Sequence, residues 1–148
     1  MSIWWSLHLR REAASVPLAR RLLLGTMETA GVDPDVSYEL SVALTEACAN
    51  AVEHGGAQGA RERGGAYRVT AYLDGETCRI EVADSGPGFP GSAVPAVPSD
   101  EAEHGRGLRL IEELADHVQF GNRSGRGGAV VSFDKILKWR DSPSLLMA

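Results

Sequence analysis

Glu46, Asn50 and His54 stand four residues apart, and on a helix that spacing stacks a carboxylate, an amide and an imidazole along one face. Farther on, Asp84-x-Gly86-x-Gly88 places an acidic side chain beside two glycines, where bare backbone lets a ligand come close. A third run, His104-Gly105-Arg106-Gly107-Leu108, leads straight into an amphipathic stretch. Each has a plain alternative: a solvated helix face, an ordinary Asp-Ser-Gly-Pro-Gly turn, and a flexible loop whose glycines only permit a bend. Together, in this order, they read as a nucleotide site.

The chemistry of a nucleoside triphosphate accounts for each residue type. Mg²⁺ takes hard oxygen ligands and keeps several waters when phosphates supply the rest, so the Asn50 amide oxygen would serve. One turn earlier, Glu46 would orient or deprotonate an attacking hydroxyl or water. One turn later, His54 would touch phosphate or brace the following loop. An ionised Asp84 accepts hydrogen bonds only, which suits the exocyclic amine of adenine and not the carbonyl of guanine. Gly105 and Gly107 would direct backbone N–H groups and a helix N-terminus at an anion, with Arg106 adding a cation. No Gly-x-x-x-x-Gly-Lys-Ser/Thr run exists, which excludes Walker-type binding, and no Gly-x-Ser-x-Gly elbow supports a serine hydrolase.

These side chains need a scaffold, and 148 residues fit one domain with a single good core. Residues 3–10 are rich in strand formers. From Ser15 to Gly31, Leu18, Leu22, Leu23 and Met27 recur at helical spacing. Asp33-Pro34 opens a second helix, with Asp33 as N-cap and Leu40, Ala43, Leu44, Ala47 and Ala51 as its buried stripe, ending at Gly55-Gly56. Residues 66–73 and 77–82 are strands joined around Asp74-Gly75. Residues 86–104 hold four prolines and read as a long mobile loop. A short helix follows over 107–115, then strands over 118–121 and 129–137. From Lys138 no pattern is visible, and the tail 141–148 is expected to be disordered, leaving a single domain over 1–140. The fold class is α+β, a two-layer sandwich with a mixed, mostly antiparallel sheet and helices on one face.

A net charge of −5 argues against binding nucleic acid or an anionic membrane. No signal peptide or membrane span is evident, so a cytoplasmic location is expected. Cys48 and Cys78 have no metal-ligand spacing and are expected as buried thiols. Of Trp4 and Trp5, alternation makes one core and leaves the other for an edge or a dimer interface.

The ordered set Glu46-x-x-x-Asn50, Asp84-x-Gly86-x-Gly88, Gly105-x-Gly107 and Gly127-Gly128 before the last strand resembles the GHKL (histidine kinase-like) ATPase superfamily over roughly residues 3–137. The runs Glu-Ala-Cys-Ala-Asn-Ala-Val-Glu-His-Gly and Gly-Arg-Gly-Leu-Arg-Leu-Ile are most similar to anti-sigma factor serine/threonine kinases. That resemblance implies the Bergerat-type ATP-binding fold, with ATP and Mg²⁺ as cofactors. It implies Glu46 as catalytic base and Asn50 as Mg²⁺ ligand. The nucleotide would be held by Asn50, His54, Asp84, Gly86, Gly88, His104, Gly105, Arg106, Gly107, Leu108 and Gly128. The implied partners are a sigma factor and a STAS-like anti-anti-sigma protein phosphorylated on serine, with a homodimer through the sheet. The alternative is a non-catalytic module that sequesters its partner under ATP control. One departure stands out: the family often has Gly-Thr before the last strand, its hydroxyl near adenine, where this chain has Gly128-Ala129.

Overall fold

Alternation decides β1. Along Ile3–Arg10 the side chains of Ile3, Trp5, Leu7 and Leu9 turn inward, while Trp4, Ser6, His8 and Arg10 turn out. The computed structural model describes residues 2–54, 65–84, 103–122 and 128–140, with backbone alone for 103–106. The elements after β1 are α1 (Ser15–Ala30), α2 (Pro34–His54), β2 (Ala66–Leu73), β3 (Thr77–Asp84), α3 (Glu103–Leu114), β4 (His117–Asn122) and β5 (Ala129–Ile136). The five strands form one sheet in the order β1-β2-β3-β5-β4. All four pairings are antiparallel, a simpler sheet than the mixed one expected.

The helices cover one face, and Val69, Ile80, Val82, Val131 and Phe133 of the inner sheet face meet Leu40, Leu44 and Ile111 in a single core. Burying each such large side chain contributes about 1.5–3 kcal/mol. Among the described residues, Trp4, Tyr72 and Ile136 are exposed on the other face. Trp5 is the inward member of the pair, its indole N–H donating to Thr26 Oγ1 at 3.0 Å.

The helix ends follow the sequence cues. Asp33 Oδ2 accepts from the N–H groups of Asp35 (3.0 Å) and Val36 (3.3 Å), so it caps α2 as expected. Gly31 closes α1, with its own N–H reaching Glu28 and that of Val32 reaching Met27. The expected stripe of α1 needs correction. Val16, Ala19, Leu23 and Met27 are buried, while Leu18 and Leu22 are 51% and 40% exposed. Leucines lie around several sides of this helix, and only the position of the sheet and α2 selects the buried side.

Two further corrections concern segment limits. The helix expected over 107–115 begins at Glu103, so the loop expected to reach residue 104 ends sooner. Lys138–Arg140, which carry no pattern, add a short bridge beside the α1–α2 turn: Val32 pairs with Trp139, and Asp33 N–H donates to Lys138 O at 2.8 Å. Residues 55–64, residues 86–102 of the loop expected over 86–104, and the tail 141–148 lie outside the described residues. Among the described residues, no helix is long and apolar enough to cross a membrane.

Candidate functional site

One row of the sheet organises one end of the site. Leu9 pairs with Tyr67, Tyr67 with Asp84, and Asn122 with Ala129. The gap between β3 and β5 in that row is closed by a side chain: the Ala129 N–H donates to Asp84 Oδ1 at 3.1 Å. Asp84 is the last residue of β3 and only 5% exposed. A carboxylate so buried needs hydrogen-bond donors, and backbone supplies this one. Gly128, at φ 114°, turns the chain through a conformation that a side chain would strain, and so presents that N–H.

Tyr67 connects this row to the helices. Its hydroxyl and Ser15 Oγ share a hydrogen bond of 2.6 Å, and it also hydrogen-bonds Cys48 on α2. Burial pushes both the Cys48 thiol and the Tyr67 phenol up to about 12, so both stay protonated and neutral. Cys78 on the inner face of β3 is pushed up to about 12 for the same reason. Both thiols are therefore buried and inert, as expected from the sequence.

Arg11, just beyond β1, donates from Nη1 to the carbonyl of Val52 in the last turn of α2. A guanidinium there satisfies a carbonyl without an intrahelical partner and complements the negative end of the helix dipole. It anchors α2 between Asn50 and His54. Nothing in the pattern around Arg11 marks it for this task, because the contact spans the chain from residue 11 to residue 52.

Glu46 and Asn50 are half-buried on α2, and His54 is exposed at its end, with Nε2 3.5 Å from Glu53 Oε1. Glu46 rests against α3: a Cβ built on Gly107 would lie 2.8 Å from Glu46 Oε1. Two pairs are thus brought together, Glu46 with Gly107 and Asp84 with Gly128-Ala129. Gly86 and Gly88 lie outside the described residues. His104, Gly105 and Arg106 fall in the first turn of α3 and not in a loop before it. This revises the anion site: Gly107 is the fifth residue of the helix, where N–H groups enter the intrahelical ladder, while those of residues 103–105 remain without such partners. Leu108 is buried, and its side chain packs in the core.

The departure at Ala129 also takes on a meaning. The tie to Asp84 uses backbone, so it does not need the hydroxyl that Gly-Thr would supply. For Mg²⁺, one neutral oxygen from a half-buried Asn50 fits a cation held mainly by phosphates and water. Among the described residues there is no group of three His, Cys, Asp or Glu side chains placed to hold a metal ion.

Comparison with known proteins identifies the family. The family profile described as "Histidine kinase-like ATPase domain" matches residues 9–135. The serine-protein kinase RsbW of Bacillus subtilis is 30% identical over 119 residues, covering 74% of this chain and 72% of its own. RsbW of Bacillus licheniformis is 33% identical over 133 residues, covering 82% and 78%. Among solved structures, that of the RsbU and RsbW domains of Rv1364c from Mycobacterium tuberculosis superposes with a TM-score of 0.65 at 23% identity. It covers 92% of this chain, which spans about a third (34%) of that larger protein and shares the fold of the matching part.

Proposed function

This chain belongs to the histidine kinase-like ATPase domain family, and from that premise we propose that it is an ATP-dependent protein serine kinase of the anti-sigma type. Homology to the RsbW serine-protein kinases supports this reading. The observation that carries it is Glu46: a half-buried carboxylate held on a rigid helix against bare backbone, one turn from Asn50.

In this reading Asp84 accepts from the adenine amine at the strand end. The first-turn backbone N–H groups of α3 would bind phosphate, and Arg106 would add positive charge to that helix end. Asn50 would hold Mg²⁺, which would neutralise charge on the phosphates. Glu46 accepts the proton of a serine hydroxyl as its oxygen bonds to the γ-phosphorus and the bond from that phosphorus to the departing ADP breaks. The acceptor serine belongs to an anti-anti-sigma protein. Its phosphate adds about 1.5–2 negative charges at the contact and releases it, leaving the kinase to hold a sigma factor.

The test is transfer of label from γ-labelled ATP to copurified partner protein, compared with Glu46→Gln, which keeps size and loses basicity. Label on a partner serine that disappears in the variant supports the kinase. Equal labelling by Glu46→Gln removes Glu46 as the base. No labelling by the parent protein, with Mg²⁺-ATP bound, assigns the chain to the sequestering alternative.

A further inference from the structure

At Gly107 the bare backbone of α3 lies against the Glu46 carboxylate. A Cβ there would stand 2.8 Å from Glu46 Oε1, 3.9 Å from Cδ and 4.0 Å from Cβ of the same residue. Only the first distance is too short, so the conflict is confined to the oxygen that would do the chemistry.

Which side would yield is decided by how each is held. Leu108 and Ile111, on the residues that follow, are 4% and 0% exposed in the core. The far end of α3 is held by Lys135, whose Nζ donates to Leu114 O at 2.7 Å and pairs with Glu39 Oε1 of α2 at 3.1 Å. The helix is thus fixed by packing and by a charged clamp. Glu46 Oε1, in contrast, is the far end of a flexible side chain. A methyl group at position 107 would therefore move the carboxylate and leave the helix in place. Restoring an ordinary contact needs a displacement of about half an ångström or more.

We infer that Gly107 is a positioning residue for catalysis: its missing side chain sets where the Glu46 carboxylate sits, by letting α3 backbone serve as the wall behind it. The inference rests on the reading of Glu46 as the proton acceptor. It assigns Gly107 a task separate from contact with nucleotide. Carboxylate placement to within fractions of an ångström matters because misplacement by about 1 Å can cost on the order of 100-fold in rate.

The backbone at Gly107 makes the test clean. Among the described residues the glycines with positive φ are Gly31, Gly65 and Gly128, so Gly107 already has a conformation that alanine adopts. Alanine is also the better helix former. Gly107→Ala should fold, and its melting temperature should equal or exceed that of the parent, while turnover falls.

The experiment measures Mg²⁺-ATP turnover by the full chain, as phosphate released and label transferred, for the parent, Gly107→Ala, Glu46→Asp, the double variant and Glu46→Gln. The expected result for Gly107→Ala is kcat lowered about tenfold, KM for ATP within about twofold, and an undiminished melting temperature. Glu46→Asp shortens the side chain by one methylene and withdraws the oxygen from position 107. The double variant should then be no slower than Glu46→Asp alone, a non-additivity that a general loss of structure does not produce. Unchanged kcat in Gly107→Ala, with Glu46→Gln inactive, overturns the positioning inference and leaves the base assignment standing. A parallel rise in KM, or a fall in melting temperature that tracks the lost activity, overturns it as well, in favour of nucleotide contact or of packing. Full activity in Glu46→Gln overturns the base assignment and this inference together.

Discussion

Asp84→Asn and Asp84→Ala separate what this carboxylate does for the fold from the contact with adenine proposed for it. The side chain is 5% exposed, and Oδ1 accepts from the Ala129 N–H at 3.1 Å across the β3–β5 junction. Asparagine can keep that bond through its own oxygen, because the reverse orientation would set two donors against each other. Its stability should fall by less than about 1 kcal/mol. Alanine leaves the Ala129 N–H without its acceptor, which costs about 1–3 kcal/mol. Binding should behave differently. With the amide oxygen committed to Ala129, asparagine turns its NH₂ toward the adenine amine, donor against donor. Losing a hydrogen bond to a charged acceptor costs about 1.5–3 kcal/mol, roughly a 10- to 150-fold weaker Kd for ATP. The same NH₂ can donate to the guanine carbonyl, so the preference for ATP over GTP should narrow. Calorimetric titration with Mg²⁺-ATP and Mg²⁺-GTP, beside urea unfolding of both variants, reads both effects. ATP affinity unchanged in Asp84→Asn refutes the adenine assignment. An Asp84→Ala protein as stable as the parent refutes the structural role.

Two further outcomes concern the scaffold. Asp33→Ala removes the acceptor for two first-turn N–H groups of α2 and should cost about 1 kcal/mol in urea unfolding, with an equal loss in Asp33→Val; a change within error denies the cap its value. Cys48 and Cys78 are held near 12 against an ordinary 9.0, so the folded chain keeps protons that the unfolded chain gives up. Their contribution is complete below about pH 9 and is lost as pH rises toward about 12, at about 1.4 kcal/mol per pH unit for each thiol. Unfolding midpoints measured from pH 8 to pH 11 should fall accordingly, and Ellman's reagent at pH 8 should label neither thiol until urea is added. Rapid labelling of the folded protein contradicts the burial.

Much of this protein is local and therefore written in the chain. Strand alternation in β1, β2 and β3, the Asp33 cap, the stop at Gly31 and the buried stripe of α2 depend on neighbours a few residues away, and the sequence shows them. The placing of Glu46 and Asn50 one turn apart on a helix and of Asp84 at a strand end was legible in the same way, because a helical period and a strand end place side chains by spacing alone. The Asp74-Gly75 hairpin is visible too, although its geometry comes from Asp74 Oδ1 accepting the N–H groups of Glu76 and Thr77 at 2.7 and 2.8 Å. What the tertiary structure decided is every matter settled by distant contacts. The strand order β1-β2-β3-β5-β4 is one, and the outward turn of Leu18 and Leu22 is another. The start of α3 at Glu103 and the pairing of Val32 with Trp139 belong with them. At the site, the Asp84 bond to Ala129 uses a backbone N–H, which every residue but proline carries and no pattern can mark. The approach of Gly107 to Glu46 depends on the packing of two helices whose residues lie 61 apart, and spacing within either segment is blind to it. Local periodicity fixes which face a side chain occupies; only packing fixes what stands opposite.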